Sequence, residues 1–204
     1  MTNDMTNDYV ISKAVEVLLG GGIIIYPTDT AFGIGCLLDK PDAVDRLFTI
    51  RRRPLSQAAP VLVSSKEMAL EYLSDTPDIV RLLMDKYWPG ALTIVSQCQQ
   101  EKACSPVRGG GTTIGVRMPN HSTALLVIER CGVPILGPSA NFHGNPTPFI
   151  KKDLDPELIK LVDLVLPGEC LNHNVSTVVD CTGQNLSIIR QGAVIIDFQH
   201  LGHE

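Results

Sequence analysis

GGGIIIYPTDTAFGIGC, residues 20–36, is the stretch that decides the fold of this 204-residue chain. Within it, Ile23, Ile24, Ile25 and Tyr26 follow three glycines and are followed by Pro27. A short β-branched run bounded by glycine and proline is typical of a buried strand. Residues 10–19 carry apolar side chains at helical spacing, and the glycines end that helix. The stretch therefore predicts a helix, a buried strand and a polar turn, in that order.

Helical and strand-like patterns alternate through the rest of the chain. The predicted helices cover residues 41–50, 66–73, 76–86, 122–130 and 155–161, and residues 101–111 are predicted to be a loop. The predicted strands cover residues 59–63, 91–96, 113–117, 135–136, 162–166, 177–180 and 187–190. This alternation indicates an α/β sheet covered by helices. We expect one domain over residues 9–198, a flexible N-terminal tail over residues 1–8 and a C-terminal tail over residues 199–204.

The composition is that of an ordinary globular enzyme, with 44% hydrophobic and 19% charged residues. A net charge of -5 argues against broad, non-specific nucleic-acid binding, although it leaves room for a local basic patch. No apolar run approaches the ~20 residues that span a bilayer, and the polar start, MTNDMTND, does not resemble a secretory leader. The six cysteines form no CxxC pair and no metal-ligand spacing with histidine. We expect a cytoplasmic protein with reduced thiols, no metal site and no membrane contact.

Polar side chains follow two of the predicted strands. Residues 28–30 follow the first strand, and Ser139 and Asn141 follow the strand at 135–136. Side chains at the carboxyl ends of strands often line ligand crevices in open α/β sheets. Threonine, aspartate, serine and glycine also build ordinary turns and polar loops, so both interpretations remain open at this point.

Three adjacent arginines, Arg51, Arg52 and Arg53, follow the predicted helix 41–50. They can complement the helix dipole, or they can bind phosphate through paired guanidinium donors. In an extended segment only alternate residues share a face, so Arg51 and Arg53 would act together. The same alternation puts Thr113 and Arg117 on one face of their strand. No phosphate loop or dinucleotide fingerprint occurs in the sequence.

Taken together, several segments resemble the YrdC-like threonylcarbamoyl-AMP synthase family and occur in the family's order. They are YPTDTAFGIGC, RRRP, WPGALTIV, TIGVRMP, GPSANFHGNPTP, STVVDCTG and IIRQGAV. The resemblance implies a strongly twisted mixed sheet flanked by helices, with an open basic cavity. It also implies a nucleotidyltransferase that joins ATP, L-threonine and bicarbonate into threonylcarbamoyl-AMP and pyrophosphate, with Mg²⁺ accompanying the ATP. A downstream tRNA threonylcarbamoyl transferase complex would then use the product to modify adenosine.

The resemblance also assigns roles to particular residues. The implied catalytic group is Arg51, Arg53, Ser139 and Asn141. The implied ATP contacts are Arg53, Gln57, Thr113, Ser139, Thr147 and Arg190. The implied L-threonine site is Thr28, Thr30, Arg117, Gly137 and Ser176. Arg117 is expected to hold the threonine carboxylate as a bidentate pair, and Asp29 is the nearest candidate to touch Mg²⁺.

Two departures from the family pattern leave alternatives open. Arg51 stands where the signature usually has lysine, and Leu62 stands where some relatives have histidine. A planar guanidinium is not equivalent to a point-like ammonium, so substrate placement could differ. The alternatives are a module that binds tRNA or double-stranded RNA without catalysis, and a divergent paralogue with the same fold and no synthase activity. One such paralogue is the acyl-adenylating segment of hydrogenase-maturation proteins.

Overall fold

A computed structural model describes residues 2–74, 76–183 and 185–197, with side chains from residue 8 onward. Its helices are α1 (Thr2–Leu19), α2 (Pro41–Arg51), α3 (Lys66–Leu70), α4 (Asp78–Tyr87), α5 (Ser105–Arg108), α6 (Ser122–Cys131) and α7 (Pro156–Leu161), with a 3-10 turn at Lys151–Asp153. Its strands are β1 (Ile24–Tyr26), β2 (Gly33–Gly35), β3 (Val61–Leu62), β4 (Leu92–Gln97), β5 (Thr113–Arg117), β6 (Ile135–Leu136), β7 (Leu164–Val165), β8 (Thr177–Asp180) and β9 (Ser187–Arg190).

The strands form two mixed sheets, which confirms the predicted α/β class with helices flanking mixed strands. One sheet has the order β2-β1-β7 and the other β6-β3-β5-β4-β8-β9. β1 runs antiparallel to β2 and parallel to β7, while β4 runs antiparallel to β5 and parallel to β8. Isolated bridges from Gly33 to Ser139 and from Leu37 to Ile135 connect the β2 region with the β6 region. A single sheet was predicted from the sequence, whereas the strands form two sheets.

β2 is the strand that the sequence analysis missed, because Gly33–Gly35 looked like part of a turn. Its three residues are fully buried and pair with β1 in register, Ile25 facing Ile34. A Cβ at Gly35 would collide with the backbone carbonyl of Leu136. Glycine is therefore required here by close backbone approach rather than by a turn.

The helices cover the two sheets and enclose two apolar clusters. α1 packs against α6 over the smaller cluster, which includes Ile11, Leu18 and Ile128. The larger cluster lies around β4, β5 and α4, with Trp88 donating its indole N–H to the carbonyl of Leu92 at 2.7 Å. None of the described helices is both long enough and apolar enough to cross a membrane.

Several predicted boundaries differ from the observed ones. α1 begins at Thr2 instead of residue 10, because no glycine or proline interrupts the chain before Gly20, so the predicted N-terminal tail is helical from residue 2. α5 occupies part of the predicted loop 101–111, with proline in its first turn. The predicted strands 59–63 and 162–166 shrink to β3 and β7. The predicted tail 199–204 lies outside the described residues.

Candidate functional site

A cavity opens where the turn after β1, the end of α2, and the strands β3, β5 and β9 converge. Segments from both sheets contribute to its wall, including the loop after β6 and the residues before β8. The residues of the predicted site that line it are Thr28, Thr30, Arg51, Arg53, Arg117, Gly137, Ser139, Thr147, Ser176 and Arg190. Among its described lining residues, four are arginines and none is acidic. The cavity is therefore suited to an anionic ligand.

Three residues of the predicted site lie outside the cavity lining. Asn141 lies directly behind Arg51 and contacts its guanidinium. Gln57 is exposed, and its backbone carbonyl accepts a hydrogen bond from Arg53 Nε at 3.1 Å. Thr113 begins β5, four residues before Arg117, and at about 3.3 Å per residue it lies more than 10 Å along the strand. The structure thus groups Asn141 with the cavity and leaves Gln57 and Thr113 at its periphery.

Arg51 is a buried cation in the cavity wall, with 3% of its surface exposed. Its Nε donates to the backbone carbonyl of Asn141 at 3.1 Å and its Nη2 to Asn141 Oδ1 at 3.2 Å. The Ser139 hydroxyl donates to the same Oδ1 at 2.6 Å. Nη1 is buried and has no hydrogen-bond partner in the described part of the chain. Burial, and then repulsion from Arg53, lowers the pKa of Arg51 to about 10. At neutral pH Arg51 therefore keeps its positive charge in the cavity wall.

Arg52 turns the chain so that both of its neighbours reach the cavity. It caps α2 in the left-handed conformation, with φ of 54°, an uncommon value for a residue with a side chain. Its guanidinium lies 4.5 Å from the ring centroid of Phe142, outside the cavity. The sequence analysis predicted that Arg51 and Arg53 would act together while Arg52 points elsewhere. The structure achieves this with a left-handed cap instead of an extended segment.

Arg117 is tied to the protein on several sides. It forms an ion pair with Asp29, its Nη1 donates to Thr30 Oγ1 at 2.7 Å, and its Nε donates to the Gly90 carbonyl at 2.9 Å. Burial lowers the pKa of Arg117, and the negative charge of Asp29 opposes that shift. Guanidinium has five N–H donors, and these bonds use three of them. The expected bidentate grip on a carboxylate therefore has only the two remaining donors to draw on.

Ser176 joins the cavity to β4 and β9. Arg190 donates from Nη2 to Ser176 Oγ at 2.9 Å and from Nε to the Ser176 carbonyl at 3.0 Å. Thr93 Oγ1 lies 2.9 Å from Ser176 Oγ and also lines the cavity. The sequence analysis missed Thr93 because it read residues 91–96 only as a strand. The available signal was one hydroxyl residue inside the otherwise apolar run ALTIV.

Cys36, directly after β2, is buried and unsuited to covalent catalysis. Burial raises the pKa of the Cys36 thiol to about 12, which keeps it protonated near neutral pH. All six cysteines are free thiols. Within the described residues, no three metal-ligating side chains come together.

A family model described as "Telomere recombination", built on Sua5, YciO and YrdC proteins, matches residues 16–192. Threonylcarbamoyl-AMP synthase of Bacillus subtilis (strain 168) is 31% identical over 193 residues, covering 93% of this chain and 55% of that protein. The crystal structure of Pyrococcus abyssi Sua5 complexed with L-threonine has 30% sequence identity and a TM-score of 0.85, covering 89% of this chain and 54% of the other. This chain therefore spans about half the length of these relatives.

A third relative matches almost end to end. YciO of Escherichia coli (strain K12), described as an uncharacterized protein, is 28% identical over 190 residues, which cover 93% of this chain and 92% of YciO. Its crystal structure has a TM-score of 0.81, covering 90% of this chain and 89% of that one. The similarity thus extends both to proteins named as synthases and to a protein without a named activity.

Proposed function

Because the chain belongs to the Sua5/YciO/YrdC family, we propose that it is an L-threonylcarbamoyladenylate synthase that uses ATP, L-threonine and bicarbonate. The observation that carries the proposal is a cavity lined by four arginines, with no acidic side chain among its described lining residues. A polyphosphate would offset that charge and accept paired guanidinium donors. The B. subtilis relative bears the synthase name, and the P. abyssi relative was crystallised with L-threonine.

The proposed reaction needs positioning and charge neutralisation more than covalent help from the protein. The threonine amine and bicarbonate give N-carboxy-threonine and water. A carboxylate oxygen of that intermediate attacks the α-phosphorus of ATP, a new P–O bond forms, and pyrophosphate leaves with the electrons of the broken bond. Arg51, Arg53 and Arg190 would neutralise the phosphate oxygens, because their guanidinium groups line one cavity.

Mg²⁺ enters this proposal only as the companion of the ATP phosphates. Asp29 is the acidic side chain beside the cavity that the sequence analysis considered, and its Oδ1 already pairs with Arg117. A single paired carboxylate does not make a protein-held Mg²⁺ site, which usually combines one or two carboxylates with waters and substrate phosphates. The residues described here therefore fit a nucleotide that brings its own cation. The proposed product would pass to a tRNA-modifying transferase complex in the cytoplasm.

The test is pyrophosphate release from ATP and Mg²⁺, with L-threonine and bicarbonate supplied together or omitted singly. The proposal is supported if pyrophosphate release requires every component. Ser139→Ala should lower the release at least about tenfold, because it removes the hydrogen bond that holds the Asn141 side-chain amide. Ser105→Ala is the matched control, because Ser105 is exposed and outside the cavity lining. If no pyrophosphate is released and the chain binds RNA with a steep salt dependence, the chain is an RNA-binding module and not a synthase. No release and no RNA binding would leave the divergent paralogue.

A further inference from the structure

The strap, residues 191–194, turns back after β9 and packs against the residues that lead into β8. The N–H of Ala193 donates to the Val175 carbonyl at 2.9 Å. A Cβ at Gly192 would lie 2.3 Å from the Val175 carbonyl oxygen and 2.4 Å from the Ser176 carbonyl carbon, so only glycine fits between the two backbones. Val175 and Ser176 also line the cavity. The strap therefore lies directly against part of the cavity wall.

Thr177 fastens the strap to β8. Its side chain is fully buried, and it is not among the described lining residues of the cavity. Its Oγ1 donates to the Val194 carbonyl at 2.6 Å and accepts the backbone N–H groups of Gly192 at 2.9 Å and of Val194 at 3.1 Å. Gln191 Nε2 makes a longer contact with the same oxygen, at 3.4 Å, and donates to the carbonyls of Gly192 and Val194. The proton and both lone pairs of the Thr177 hydroxyl are thus used within the protein.

The strap begins directly after Arg190, one of the arginines of the cavity. Arg190 is the last residue of β9, an edge strand that pairs with β8 alone among the described strands. The ladder between these strands is irregular at Val178 and Val179, and at one end it stops with Val178 opposite Arg190. Beyond that pair, the Thr177 hydroxyl makes most of the hydrogen bonds that hold the chain to β8. The backbone of Arg190 is therefore held in place by the strap as well as by β8.

We infer that Thr177 is a positioning residue: by holding the strap against β8, it places the Arg190 guanidinium in the cavity wall. Thr177 acts through Arg190 and not on the ligand itself. Removing its hydroxyl leaves the N–H groups of Gly192 and Val194 without their acceptor, and unpaired buried N–H groups are unfavourable. The strap would then move toward water, and Arg190 would lose its fixed position. The inference rests on the proposed function, because Arg190 is proposed to neutralise phosphate oxygens of ATP.

The experiment is a double-mutant cycle on the dissociation constant of ATP with Mg²⁺, measured by isothermal titration calorimetry on the whole chain. We expect Arg190→Met to weaken ATP binding about 30-fold, the effect of one charge-assisted hydrogen bond, and Thr177→Val to weaken it about tenfold. Thr177→Ser keeps the hydroxyl and should stay within about twofold of wild type. In the Arg190→Met background, Thr177→Val should change ATP affinity by less than about twofold, because the residue through which Thr177 acts is already gone.

Gly192→Ala displaces the strap while Thr177 stays intact, and it takes the place of Thr177→Val if that variant does not fold. The new Cβ has no room beside Val175 and Ser176, so ATP binding should again weaken about tenfold, and only while Arg190 is present. Gly183→Ala is the matched control, because its Cβ would lie 3.7 Å from the nearest atom, an ordinary contact. Thermal unfolding confirms that each variant is folded, with a midpoint within about 4 °C of wild type.

Two results would overturn the inference while leaving the proposed function in place. One is wild-type ATP affinity when the strap is released by Thr177→Val or Gly192→Ala. The other is an equal loss of ATP affinity from Thr177→Val with and without Arg190, which would indicate general structural support. A wild-type chain that binds no ATP would overturn the proposed function and this inference together.

Discussion

Replacing Arg51 by methionine should separate its contribution to the fold from its contribution to ligand binding. Burial and the neighbouring Arg53 lower the pKa of Arg51 to about 10, which corresponds to about 3 kcal/mol against the charged form. Methionine removes that cost and gives up the hydrogen bonds from the charged Nε and Nη2 to Asn141, worth about 1.5 kcal/mol each. These two effects offset each other, so we expect the unliganded Arg51→Met variant to stay within about 1 kcal/mol of wild type in unfolding free energy, or about 3 °C in Tm.

Ligand binding should change much more than stability. Arg51 is one of the four arginines that line the cavity, and a charge-assisted hydrogen bond to phosphate is worth about 1.5–3 kcal/mol. With the lost charge added, we expect Arg51→Met to weaken ATP binding about 100-fold in a calorimetric titration. Arg51→Lys keeps the charge and should lose less than about tenfold. Arg81→Met is the matched control, because Arg81 is exposed on α4 and its loss changes the net charge equally.

A loss of stability without a loss of ATP affinity would contradict this prediction. An Arg51→Met variant that unfolds more than about 5 °C below wild type and still binds ATP normally would show that Arg51 supports the fold and not a ligand. Equal loss of ATP affinity in Arg81→Met would show that net charge, and not the cavity, controls binding. Both the Tm and the ATP affinity are therefore measured on each variant at one ionic strength.

Three further predictions concern the cavity and its surroundings. Gly137→Ala should abolish L-threonine binding, because the new Cβ would lie 2.5 Å from Leu62 Cγ. Adding Leu62→Ala to that variant should restore part of the binding, whereas unchanged binding in Gly137→Ala alone would contradict the prediction. Burial lowers the pKa of His121, so His121 binds a proton more readily in the unfolded chain than in the folded one. Stability should therefore fall as the pH drops below about 6.5. An equal fall of the urea midpoint in His121→Gln would refute this assignment. Arg117→Ala leaves Asp29 buried without its cation and should lower the unfolding free energy by about 3–5 kcal/mol, as measured by thermal unfolding. Adding Asp29→Asn should recover part of that loss. Equal losses in the single and the double variant would contradict the importance of the ion pair.

Local pattern was sufficient for several short strands. The strands at Thr113–Arg117, Ile135–Leu136, Thr177–Asp180 and Ser187–Arg190 have the bounds predicted from their β-branched and apolar residues. Gly33–Gly35 could not be found in this way, since nothing in its composition favours a strand. It forms because the chain packs its backbone against Leu136, about a hundred residues away in sequence, and that contact exists only in the folded protein.

The candidate site was also predictable only in part. The sequence motifs identified most of the arginines and hydroxyl residues that meet in the cavity, several of which lie at or after the ends of strands. The sequence could not show how those side chains pair. The Asp29–Arg117 ion pair joins residues 88 positions apart, and the contact of Thr93 with Ser176 joins residues 83 positions apart. Such pairings decide which donors stay free for a ligand, and only tertiary structure provides them.

The distribution of charge separates the proposed small-molecule substrate from an extended nucleic acid. The chain carries a net charge of -5, yet four arginines line one cavity. Asp29 pairs with Arg117, and among the described residues Arg51, Arg53 and Arg190 form no ion pair with an acidic side chain. A concave site of one sign attracts a compact polyanion such as a nucleotide triphosphate. Binding of duplex RNA relies instead on many phosphate contacts along a surface, and its affinity falls steeply with salt. We therefore expect ATP to bind this chain with a much weaker salt dependence than any RNA does.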